Sequence, residues 1–154
     1  MLLFSCSLTV FNVALPKVHR LRHRKEFSAV YQSGLRRNSA HLTLRALRRS
    51  GSYKGNSDLS VPDETAIDPP PIPTRIGISI SQKVSKRATV RNRIKRQIRA
   101  IMQQFLPQIG AGWQVVVIVR PGATQCDYQQ FLQELKQLLV DAEVIDGHQR
   151  GCLL

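Results

Sequence analysis

Between Val90 and Phe105 the residues Val90, Ile94, Ile98, Ile101, Met102 and Phe105 recur at helical spacing. Projected at ~100° per residue, they occupy one sector of about 120°. The opposite side carries Arg96, flanked by Asn92, Arg93 and Arg99, with Lys95 nearer the apolar stripe and Arg91 inside the apolar sector. Such a helix must bury one face against other elements and leave a ridge of positive charge outside. From Lys83 to Arg99 there are eight basic residues and no acid. A merely solvated helix face mixes signs in i, i+4 pairs, and this one does not. A polyanion is the partner that offsets the repulsion.

The rest of the chain extends that imbalance. Its 154 residues suffice for one domain with a real core, and 23 Lys and Arg against 10 Asp and Glu give a formal charge of +13. Before Asp58 the only carboxylate is Glu26, and none lies between Asp68 and Asp127. A nuclease with its own two-metal site needs several carboxylates brought together, so a self-contained nuclease is disfavoured and no catalytic residue is expected. Cys6, Cys126 and Cys152 form no CxxC pair, and His19 and His23 sit among Arg20, Arg22, Arg24 and Lys25, which repel a cation. No metal site is expected in the protein, and the compartment reads as reducing cytoplasm.

The periodicity predicts a short helix over 25–33, with Phe27, Val30 and Tyr31 on one face and Gly34 as its stop. Strands follow over 41–48 and 75–81. A third runs over 113–120, and its run Val115-Val116-Val117-Ile118-Val119 is apolar on both faces, hence central. A last helix covers 127–140. The expected fold is an α/β (α+β) two-layer sandwich, a small mixed sheet with helices in the order α-β-β-α-β-α. Residues 50–74 hold five prolines and four of the ten acids and read as a flexible insertion in a single domain spanning 15–146. The apolar stretch 1–14 lacks a positive n-region and falls short of the ~20 residues that cross a bilayer, so it reads as a disordered extension or a mis-assigned start. Residues 147–154 read as a loose tail, and no membrane partner is expected.

RNA is favoured over DNA because no helix-turn-helix, zinc finger or zipper is present. Phe27 and Tyr31, set among Arg20, Arg22, Arg24 and Lys25, suggest rings on which single-stranded bases stack, or else core rings of a short amphipathic helix. A structural RNA-binding role of the ribosomal kind is the alternative to a role in RNA processing.

Arg91-Asn92-Arg93-Ile94-Lys95-Arg96, followed by Arg99, resembles the signature helix of the protein subunit of bacterial ribonuclease P. Arg75-Ile76-Gly77-Ile78-Ser79-Ile80-Ser81-Gln82-Lys83 is similar to that family's preceding strand and loop, and Lys86-Arg87-Ala88 to its basic linker. Leu15-Pro16-Lys17 through Glu26-Phe27, with Val30-Tyr31 and Gly34, is similar to its N-terminal helix. Gln82 departs from the second lysine frequent there, and the insertion exceeds the usual short hairpin. The resemblance implies a left-handed β-α-β crossover and a catalytic RNA subunit that requires Mg2+ and removes the 5′ leader of precursor tRNA. It implies that Lys83, Lys86, Arg87, Arg91, Asn92, Arg93, Lys95, Arg96 and Arg99 hold the catalytic RNA. Lys17, Arg20, Arg22, Phe27 and Tyr31 would touch the leader in a cleft between sheet and N-terminal helix.

Overall fold

Residues 15–49 and 72–145 are described by a computed structural model. Its elements run α1 (Arg24–Ser33), β1 (Leu35–Asn38), β2 (Leu42–Arg48), β3 (Arg75–Ile80), α2 (Ala88–Phe105), β4 (Trp113–Val119) and α3 (Tyr128–Asp141). The extension 1–14, nearly all of the insertion and the tail 147–154 lie outside the described residues. Among the described residues no helix is long and apolar enough to cross a membrane.

The structure holds one strand more than the periodicity predicts. β1 reads Leu-Arg-Arg-Asn and all four residues are exposed, so it offers no alternation to detect. It lies at the edge of a mixed sheet ordered β1-β2-β4-β3, where charged side chains are usual because they discourage further pairing. β1–β2 and β2–β4 are antiparallel, while β3 and β4 are parallel and joined through α2. β4 is central, as its two apolar faces require.

The register sorts the side chains. Leu44, Val117 and Ile78 pair across three strands, as do Ala46, Val115 and Ile76, and they face the main core. There they meet the α2 stripe Ile94, Ile98, Ile101, Met102 and Phe105 together with Phe131, Leu135, Leu138 and Leu139 of α3. Asp127 caps α3 through a capping box with Gln130, two satisfied N–H groups where the helix begins.

The reverse face is only partly covered. Arg36, Arg45, Val116 and Gly77 share one row of it; Asn38, Thr43, Ile118 and Ser79 share the next. α1 crosses the first row, with Val30 packed in a small cluster with Val116 and Leu21. Phe27 lies on the bare backbone of Gly77, where an added Cβ would stand 2.7 Å from the ring. Glu26 pairs with Arg75 beside it. The second row is left open. Gly34 ends α1 as predicted, but for a different reason. Its φ of −75° is open to any residue, and a side chain there would run into the Val30 carbonyl oxygen.

The turn between β1 and β2 is tied to α3. The Glu134 carboxylate accepts from the His41 N–H at 3.1 Å and the His41 ring Nδ1–H at 2.6 Å. Burial alone would raise this carboxyl; the bonds from the His41 ring, the Ser39 hydroxyl and the His41 N–H outweigh it and hold it below the ordinary glutamate range.

Two outcomes follow. Gly77→Ala should lift Phe27 and cost about 1–3 kcal/mol in urea unfolding; an unchanged midpoint would mean that α1 can shift freely. A carboxyl lowered by folding adds stability above its unfolded value and loses it as pH falls through the native one. Stability should therefore drop below about pH 4.3, and Glu134→Gln should flatten that part of the profile.

Candidate nucleic-acid interface

α2 displays the ridge at Asn92, Arg93 and Arg96, which are exposed as their spacing predicts. Arg99, expected on the same ridge, is half-buried, and so is Lys95 nearer the apolar stripe. Arg93 leans on the turn after β4, donating to the Thr124 carbonyl at 3.2 Å. Arg96 makes no hydrogen bond or ion pair among the described residues. Arg91 stands apart: its guanidinium donates to the carbonyls of Ser85 at 2.7 Å and Lys86 at 3.0 Å. It thereby anchors the loop between β3 and α2, whose Val84 is buried. Lys86 and Arg87 of that loop are exposed at the α2 N-terminus. The first turn there holds no acid and Arg87 provides no side-chain cap, so the helix end adds positive potential.

A second cationic surface occupies the open row of the sheet. A cleft of about 320 Å³ is lined by Arg36, Thr43, Arg45, Lys83, Ile118 and Arg120, among others. Arg45 lies over the Tyr31 ring, 5.3 Å from its centroid, and donates to the Tyr31 carbonyl. Arg120 donates to the Ser39 carbonyl at 2.9 Å and Arg36 to Asn38 Oδ1 at 3.1 Å. Arg45 Nε is buried without a partner in the described residues.

The predicted leader residues divide. Tyr31 is 37% exposed and reaches the cleft through Arg45. Phe27 is half-buried on Gly77, farther along α1. Lys17 and Arg22 are exposed on the segment before α1, while Arg20 bridges to Ile76 and donates to the Leu15 carbonyl at 2.7 Å. Lys83, grouped by sequence with the ridge, lies on the cleft wall. Sequence reasoning missed Arg36, Thr43, Arg45 and Arg120. The alternation of β2 already set Thr43 and Arg45 on its non-core face, but only the cross-strand register reveals that α1 leaves the Thr43 row open, with Arg36 and Arg45 of the neighbouring row at its margin. His19 donates to the Thr74 carbonyl at 2.8 Å, and no group of three or more His, Cys, Asp or Glu able to hold a metal occurs among the described residues.

A mixed α+β sheet with an arginine-faced helix on one side and a cationic cleft on the other defines a protein that docks onto folded, phosphate-rich RNA. A family model described as Ribonuclease P matches residues 15–143, and the chain belongs to that family. It is 57% identical over 139 residues to the ribonuclease P protein component of Trichormus variabilis, covering 88% of this chain and 99% of that one. It is 44% identical over 143 residues to the Synechocystis protein of the same name, covering 92% and 100%. Its fold is similar to that of the Staphylococcus aureus RNase P protein, with a TM-score of 0.63 and 23% identity over 86% of this chain and 96% of that one. For the Thermotoga maritima RNase P protein the TM-score is 0.59, at 23% identity over 83% and 98%. Family membership favours an RNA-processing subunit over the ribosomal-type alternative.

Arg91 and Arg96 should separate in a stability assay. Arg96→Ala, with no partner among the described residues, should stay within about 0.5 kcal/mol of the parent. Arg91→Ala should cost about 1 kcal/mol through its two carbonyl bonds and speed amide exchange across 81–87. Equal behaviour of the two variants would mean the anchor holds nothing.

Proposed function

We propose that the chain is the protein component of a cytoplasmic ribonuclease P, which promotes removal of the 5′ leader from precursor tRNA. Arg91, Asn92, Arg93, Lys95, Arg96 and Arg99, with Lys86 and Arg87, hold the catalytic RNA. The cleft takes the leader, with Tyr31, Arg45, Arg36 and Arg120 around it; Lys17, Arg20, Arg22 and Phe27, which lie outside its lining, would meet the leader beyond it. Lys83, on the wall between the two surfaces, serves either strand. The RNA subunit carries the Mg2+-dependent cleavage, and the protein supplies binding and charge screening.

The observation that carries this reading is the pairing of two cationic surfaces on one sheet. The loop 81–87 runs from the cleft, at Lys83, to the α2 N-terminus. The segment after β4 does the same from the other side, with Arg120 on the cleft and Thr124 bonded to Arg93 of the ridge. A protein bridging two RNAs needs this arrangement, one convex surface for a folded RNA and one concave surface for a strand.

Reconstitution with the cognate catalytic RNA at low magnesium tests it. The protein should stimulate leader removal and do nothing alone; absence of stimulation would sink the reading. Changing Arg93 and Arg96 together to Ala should weaken assembly and flatten its salt dependence. With ~6–10 phosphate contacts, the parent should lose on the order of 10³–10⁵ in affinity between about 50 and 200 mM salt, and less for single strands.

A further inference from the structure

The polar wall of the cleft converges on one short turn. Arg36 Nε and Thr43 Oγ1 both donate to Asn38 Oδ1 at 3.1 Å. Arg120 donates its Nη1 to the Ser39 carbonyl and its backbone N–H to the His41 carbonyl, each at 2.9 Å. The turn closes on itself through Ser39 N–H to the Leu42 carbonyl at 2.8 Å. Its bidentate tie to another element is Glu134 of α3, a helix packed on the sheet face opposite the cleft. The carboxylate takes both His41 donors, with the side chains 16% and 34% exposed.

We propose that Glu134 is a positioning residue for the cleft, acting through His41 to fix the 38–41 turn and with it Arg36, Thr43 and Arg120. The proposal rests on the reading of the cleft as the leader site. α3 itself does not depend on the pair, because Phe131, Leu135, Leu138 and Leu139 are wholly or almost wholly buried in the core. An alanine at 134 removes both acceptor oxygens and leaves the His41 N–H and ring nitrogen without their partner. A glutamine would not break the tie cleanly, because a neutral imidazole can switch tautomer and accept from the amide NH2.

Charge and positioning predict opposite signs. Removing a carboxylate makes the protein more basic, so through-space electrostatics alone would tighten binding to any RNA. Loss of the tie frees the arginines to leave their places and weakens binding of the leader only.

The test uses holoenzyme reconstituted with wild-type protein, Glu134→Ala or His41→Ala, measuring affinity for precursor and mature tRNA and the cleavage rate at saturating precursor, all at neutral pH. His41→Ala should bind precursor tRNA about three- to tenfold more weakly, the size of one lost hydrogen bond, and Glu134→Ala at least as weakly. Mature tRNA affinity, assembly with the catalytic RNA and the saturating rate should not change. Unchanged or tighter precursor binding, or equal loss for both tRNAs, overturns the proposal. If Glu134→Ala fails to fold, His41→Ala decides by the same outcomes, because it keeps the carboxylate and the backbone bond. A wild-type holoenzyme that binds both tRNAs alike removes the cleft reading and this proposal with it; a discriminating wild type with unaltered variants overturns the proposal alone.

Discussion

Val115, Val116 and Val117 are each wholly buried, yet successive side chains on a strand point to opposite faces. β4 is therefore sealed from both sides, and the rest of the molecule is arranged by that requirement. α2 and α3 cover the Val115 and Val117 side with long apolar stripes. The Val116 side is covered by α1, a ten-residue helix whose wholly buried contribution is Val30. A helix that short seals one row of the sheet and no more. The open cleft is thus the remainder left by a covering element shorter than the sheet it lies on.

The same economy governs the cations. Few carboxylates are available: among the described residues Glu26 pairs with Arg75, and Glu134 is hydrogen-bonded to His41. Six other arginines are held by backbone carbonyls: Arg20 by Leu15, Arg37 by Asp141, Arg45 by Tyr31, Arg91 by Ser85 and Lys86, Arg93 by Thr124 and Arg120 by Ser39. A carbonyl orients a guanidinium without cancelling its charge. A carboxylate would orient it equally well but neutralise it, leaving little for a phosphate to gain. Holding arginines by carbonyls therefore gives rigid placement and full field together, which preorganises an RNA-binding surface.

Elements with strong periodicity were legible in the sequence. The α2 stripe, the two-faced strand β4 and the α3 stripe lie where their spacing puts them, and the exposed ridge Asn92, Arg93 and Arg96 follows from the same projection. Even the separate place of Arg91 could be read, because its angle falls among the apolar residues. β1 was not legible, since a charged edge strand carries no alternation. Nor was the cleft, because Arg36, Thr43, Lys83 and Arg120 come from four segments that only strand register brings together. Phe27 and Tyr31 looked equivalent at i and i+4, but they meet different strands: a bare glycine under Phe27, a guanidinium over Tyr31.

Glu134 is the exception that the charge pattern demands be explained. A carboxylate tied to the rim of a cationic cleft works against an incoming phosphate strand unless its charge is directed elsewhere. Here both oxygens are turned to His41, and the carboxyl's low proton affinity reflects those bonds. The acid is spent inward, on geometry, and the field that faces the RNA remains that of the arginines it helps to hold in place.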